Sequence, residues 1–150
     1  MGIMRACGGQ KRESGFTLLE ILAVITLLAV LLTLLAPNIL KNLDKGKIDA
    51  AKLQIGAMKS VLKTYYLDNS VYPGTEQGLR ALLEKPAAAP VPENWNGPYL
   101  EDAKILTDPW NHAYQYAAPG THNPQSFDLF SLGADNAEGG SGTNADIGNW

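Results

Sequence analysis

Three groups of residues carry charge or ligating chemistry at informative spacings. The first is Gly15-Phe16 followed by Glu20, an acid standing in the otherwise uncharged apolar run FTLLEILAVITLLAVLLTLLA. A carboxylate near the middle of a membrane helix costs roughly 2.5–3.5 kcal/mol on insertion scales. Glu20 lies one turn past Phe16, where snorkelling softens that cost, and a tolerated acid there still calls for a positive partner. No lysine or arginine lies between Phe16 and Leu40. A free α-amino group on Phe16, created by cleavage after Gly15, supplies one. Within one helix that amine is about 6 Å from Glu20, whereas the amine of a neighbouring copy can come closer. The second group is the acidic, glycine-rich end, Leu132-Gly-Ala-Asp135-Asn-Ala-Glu-Gly-Gly-Ser141-Gly-Thr-Asn144-Ala-Asp146. Calcium takes six to eight oxygens in flexible geometry. Asp135, Asp146 and Asn144, with the Leu132 carbonyl and groups near Ser141, supply that donor type. The spacing is not an EF-hand.

The third group is His112, His122 and Asp108. Zinc is the chemistry to weigh here, but neither HExxH nor CxxC spacing is present. Both histidines read as surface-turn residues, and Asp108-Pro109 as a turn initiator. No nucleophile sits in a recognisable frame with a base, and no glycine-rich loop follows a strand into a helix. The residues therefore point away from an enzyme.

Composition narrows the rest. The 150 residues carry a formal net charge of −3 and a pI near 5.3, against the basic face of a nucleic-acid binder. The single cysteine, Cys7, excludes an intramolecular disulfide and any CxxC site. Residues 1–15 contain Arg5, Lys11, Arg12 and Glu13, a net +2, and no apolar core of an ordinary secretory signal. Two readings follow: a single-pass protein whose basic leader stays cytoplasmic, or cleavage after Gly15 that makes Phe16 the first residue. Cleavage removes Cys7 and takes the net charge from −3 to −5.

The elements that must position these groups are legible from periodicity. Residues 16–40 read as a helix long enough to cross, or nearly cross, a bilayer. Beyond it Ile48, Ala51, Ile55, Met58, Leu62 and Tyr65 recur at steps of three and four among Lys45, Lys52, Lys59 and Lys63. This is an amphipathic continuation packed on a small head. One helix from Phe16 to about Asp68 would run roughly 80 Å. Pro37 interrupts it and predicts a kink or a locally melted turn. In the head, Thr75 reads as the N-cap of a short helix over 76–84 with Leu79, Leu82 and Leu83 inward. Residues 86–92 read as a semi-rigid spacer. Tyr114 to Tyr116 and Phe127 to Leu132 read as two strands. Most of the later aromatics are expected in the core.

Lys11-Arg-Glu-Ser-Gly15 followed by Phe16-Thr-Leu-Leu-Glu20 resembles the class III signal of type IV pilins and type II secretion pseudopilins. The resemblance implies cutting between Gly15 and Phe16 by a prepilin peptidase and N-methylation of Phe16. It also implies neutralisation of the Phe16 amine of an adjacent subunit by Glu20, and local unwinding at Pro37 during filament packing. Tyr72-Pro73, Gln77-Gly78-Leu79, Gly97-Pro98-Tyr99-Leu100, Asp108-Pro109-Trp110 and Ser131-Leu-Gly-Ala-Asp135 are similar to the G-type pseudopilins in particular. That subfamily implies a Ca2+ site in the last loop, carried over to Leu132, Asp135 and Asp146, with Ser141 and Asn144 completing it.

The resemblance implies an α+β, pilin-like fold: a long N-terminal helix packed by its C-terminal half on a small head, with a short antiparallel sheet and a calcium-stabilised C-terminal loop. The organisation implied is a cleaved leader (1–15), a transmembrane and filament-core helix (16–40) and a periplasmic head (41–150). The function implied is a non-enzymatic subunit, held in the inner membrane before assembly, that polymerises with itself into a periplasmic filament driving export of folded proteins. Minor pseudopilins, an inner-membrane assembly platform and the peptidase are the implied partners, with no nucleic acid. The alternatives are a type IV pilin of a surface fibre, against which the cysteine-free mature end counts, and a membrane-tethered enzyme.

Overall fold

The computed structural model describes the backbone of residues 16–150 and the side chains of 16–33 and 42–150. The leader and its cleavage at Gly15 lie outside the described residues. The chain divides into two units, Met1–Leu40 and Lys41–Trp150.

Helix α1 runs Leu18–Asn69. Its start is fixed by Thr17, whose hydroxyl accepts the Glu20 N–H at 3.2 Å, the arrangement of a Thr-x-x-Glu N-cap. Its end is fixed at Ser70, whose φ of 60° leaves the helical region while its N–H returns to the Tyr66 carbonyl at 2.7 Å. That left-handed stop satisfies a carbonyl that would otherwise be orphaned. In the first unit the large apolar side chains point outward on every side, from Phe16 through Leu32. Among the described residues no helix is long and apolar enough to cross a membrane. Pro37 falls within α1, which continues as helix on both sides of it, so the locally melted turn expected there is corrected; the side chains of 34–41 lie outside the described residues.

In the second unit the periodic stripe becomes the core. Ala51, Ile55, Met58, Leu62 and Tyr65 are buried against Leu79, Ala81, Leu82, Leu100, Tyr114, Phe127, Leu129 and Ile147. Ile48 packs at the edge of the same cluster. A three-stranded antiparallel sheet, in the order β1-β2-β3, closes it. Strand β1 is Gln115–Ala117, β2 is Asp128–Ser131 and β3 is Ile147–Gly148. The register sets Tyr116 opposite Leu129 and Ser131 opposite Ile147. Asn149 extends the ladder with both its main chain and its side chain, meeting the main chain of Leu129 and Phe127.

One local expectation in the head is corrected and two are filled in. The segment after Thr75 is a 3₁₀ turn, Gly78–Leu82, rather than a helix over 76–84. Gly78 at φ +58° breaks an α-helical path there. The hydroxyl of Thr75 is not a cap but is spent on the N–H and carbonyl of Ala118. Leu79 and Leu82 still face inward, with Leu83 packed partly against the core. The segment 86–92, read as a semi-rigid spacer, is held at two points, where the Gln77 amide donates to the carbonyls of Ala88 and Pro90. Finally, β3 is an additional strand, too short and too glycine-rich to leave a period-two signal.

Candidate functional site

At the N-terminal end of α1, Phe16 and Glu20 are both exposed. The Glu20 main-chain N–H is engaged by the Thr17 hydroxyl and carbonyl, so the cap is made by the backbone of Glu20 and leaves its carboxylate available. Along this helix, apolar on all faces, the acid a turn from its start has no cationic partner among the described residues of its unit. Such a surface is stable only inside lipid or against other apolar helices.

The loop between β2 and β3 is folded back on itself by main-chain bonds. Ala134 N–H donates to the Thr143 carbonyl at 2.9 Å, and Gly139 N–H donates to the Asp146 carboxylate at 2.9 Å. Asp135 accepts from Ala137 N–H at 3.3 Å, within its own turn. Ser141 leads into a 3₁₀ turn, Gly142–Asn144, without a side-chain cap bond. Two glycines make the fold-back possible. At Gly133, φ is +71° and a Cβ would stand 2.8 Å from the Thr143 carbonyl oxygen. At Gly140, φ is +82° and a Cβ would collide with the Asn144 carbonyl.

This donor set suits a hard cation. It offers two exposed carboxylates, an amide, a hydroxyl and several main-chain carbonyls crowded against glycine. Among the described residues no three His, Cys, Asp or Glu side chains gather as a metal cluster. A site here would have to draw much of its shell from carbonyl oxygen, which fits calcium and not zinc. The residues therefore fit the ion, with Leu132, Asp135 and Asp146 as principal candidates and Ser141 and Asn144 beside them.

The histidines serve other ends. His112 Nδ1 lies 3.0 Å from the Gly133 carbonyl. His122 stacks on Trp150 with ring centroids 3.9 Å apart, and its Nδ1 lies 3.3 Å from Asp128. Of the two buried acids these rings approach, sequence reasoning reads Asp108 as a turn initiator and misses Asp128. Asp108 is 3% exposed and Asp128 also 3%. Burial alone would raise the Asp128 carboxyl. Hydrogen bonds from His122 and Asn123 outweigh it and hold the group below the usual carboxylate range. Each acid accepts two backbone N–H groups in a nearby turn, which Asp108-Pro109 announces in the sequence and nothing beside Asp128 does.

Comparison with known proteins follows the same division of the chain. A family described as type II secretion system (T2SS), protein G matches residues 38–150, and the prokaryotic N-terminal methylation motif matches residues 10–36. The type II secretion system core protein G of Pseudomonas aeruginosa is 49% identical over 142 residues, covering 94% of this chain and 97% of that protein. The protein of the same name from Vibrio cholerae is 45% identical over 141 residues, covering 93% of each. The crystal structure of the major pseudopilin from the type 2 secretion system of enterohaemorrhagic Escherichia coli aligns with a TM-score of 0.63 at 40% identity. That alignment covers 76% of this chain and 95% of that one.

Proposed function

The chain belongs to the type II secretion system protein G family, and from that premise we propose how it acts as the major pseudopilin. It is a structural subunit of the pseudopilus, a helical filament whose growth drives export of folded proteins. The family match and the N-terminal methylation motif together reach from residue 10 to residue 150, and that single observation carries the reading over a surface type IV pilin. No step of the work asks the chain to be an enzyme.

Prepilin peptidase cuts between Gly15 and Phe16, and the new amine is methylated. Before assembly the apolar helix of residues 16–40 holds the chain in the inner membrane, with residues 41–150 in the periplasm. On assembly the stem exchanges lipid for the stems of neighbouring copies, and burial of its apolar faces supplies the cohesion. Glu20 pairs with the Phe16 amine of the next copy and fixes axial register. Pro37, which lacks an N–H and leaves the Thr33 carbonyl without its helical donor, eases the local adjustment that packing requires. The assembly platform delivers subunits, and minor pseudopilins join the same filament.

The C-terminal loop takes Ca2+ through Asp135, Asp146 and the Leu132 carbonyl, with Ser141 and Asn144 contributing oxygens. The ion supplies a clamp. The mature chain has no cysteine to close this loop by a disulfide, and a cation bound only to the folded state offsets the entropy of ordering it.

The filament reading is tested by charge reversal at Glu20. Because the N-cap uses the Glu20 backbone, Glu20→Lys leaves the helix start intact and reads the charge alone. Chemical cross-linking of cell envelopes should give a ladder of multimers with the wild-type chain. An equally abundant Glu20→Lys protein should lose the ladder and the secretion it supports. An undiminished ladder from that variant would remove the pairing.

A further inference from the structure

Asp108 and Ser131 lie beneath the C-terminal loop and reach it through one peptide group. Ser131 is fully buried and Asp108 nearly so. One Asp108 oxygen accepts the N–H of Trp110 at 2.9 Å and of His112 at 2.8 Å. The other accepts the Ser131 hydroxyl in a short bond of 2.5 Å. A serine hydroxyl has a single proton. With that proton given to Asp108, its lone pairs face elsewhere, and the Gly133 N–H donates into them at 3.1 Å. The carbonyl of Gly133 is held as well. It lies 3.0 Å from His112 Nδ1, and a carbonyl only accepts, so Nδ1 carries the proton. Both polar groups of Gly133 are thereby tied to the 108–112 turn, one directly and one through Ser131.

The consequence follows from peptide planarity. In a trans peptide the C=O of one residue and the N–H of the next point in opposite directions. Holding the Gly133 N–H toward Ser131 therefore sets the direction of the Leu132 carbonyl. Leu132 is the main-chain donor proposed for the cation.

We propose that Asp108 and Ser131 are the positioning residues of the calcium loop, orienting the Leu132 carbonyl through the Gly133 N–H. The proposal rests on the calcium reading given above. Neither residue touches the ion. Their role is to receive, on a rigid part of the head, the peptide at which the loop begins, as outer partners of metal ligands commonly do. His112 completes the grip from the other side, and the left-handed Gly133 then turns the chain back toward Thr143.

The test is calorimetric titration of Ca2+ into the full-length chain, solubilised in detergent and stripped of divalent metal, alongside Ser131→Ala and Asp108→Asn. Both variants should bind with Kd raised about tenfold or more. Thermal midpoints taken without metal separate this from general weakening. A purely structural role lowers the metal-free midpoint and leaves Kd at 25 °C where it was. Ser131→Ala with a Kd within about twofold of wild type overturns the proposal and leaves the calcium site standing. A wild-type chain that takes up no Ca2+ overturns the site and the proposal together. If Ser131→Ala does not fold, Asp108→Asn, of nearly equal size, decides by the same criterion.

Discussion

Asp128 shows how a buried charge is kept in this head. Its carboxylate accepts the N–H of His122 at 2.7 Å and of Asn123 at 3.0 Å, and the Asn123 side-chain amide at 2.8 Å. Those donors outweigh burial and lower the carboxyl pKa in the folded chain. The stability it contributes is therefore present above the unfolded carboxyl pKa of about 3.9 and is lost as pH falls through the lower folded value. Asp128→Asn should cost about 1–3 kcal/mol at neutral pH. The gap in thermal midpoint between the variant and wild type should close as pH falls through the lowered folded value. A gap of constant size across that range would show that the charge is not what the loop uses. The sequence makes the histidines legible as turn residues, and they are. It also marks Asp108-Pro109 as a turn initiator, but it does not reveal that Asp128 organises the other turn, because half of its partners are peptide N–H groups that every residue but proline possesses. Thr17-x-x-Glu20 is the converse: the capping pattern is written in residue types, and the structure forms its Thr17 half.

At the scale of elements, legibility follows the length of the repeat. The inward stripe of α1 runs from Ile48 to Tyr65 over five helical turns, and each of its positions packs in or on the core. Strand β3 has two residues and exists only because Asn149 and the folded-back loop bring it beside β2. The Gly78–Leu82 turn keeps its inward leucines but not its helical form, since apolar spacing over one turn does not distinguish the two. The loop between β2 and β3 is where an ion would change stability most. Removing Ca2+ from the full-length chain with a chelator should lower the thermal midpoint by an amount on the order of 10 °C. That figure follows from about 4 kcal/mol of linkage when free ion is a thousandfold above Kd. Asp135→Ala should have a similarly low midpoint and little further response to chelator. A midpoint indifferent to chelation in the wild type would take the metal out of the loop, and a variant still strongly responsive would move the ligand elsewhere.

For the molecule as a whole, the two ends of the sequence say most about function. Gly15, Phe16 and Glu20 are the residues proposed to direct processing and pairing, and the family match over residues 38–150, with the methylation motif over residues 10–36, bears out the pseudopilin reading. Mass spectrometry of the protein from cells with an active prepilin peptidase should find a chain beginning at N-methyl-Phe16. A chain still carrying Met1 there would defeat the processing scheme. What holds the head together has a wider bearing. Among the described residues, the close partners of Asp108 and Asp128 are peptide N–H groups, hydroxyls, amides and histidine, with no lysine or arginine in ion-pair reach. Dissolved ions weaken attraction between exposed charges over about 8 Å at 0.15 M. They have little access to a hydrogen bond inside a closed turn. Dilute and brackish media should thus leave the turns built on Asp108 and Asp128 equally well ordered, whatever they do to the lysines along the helix.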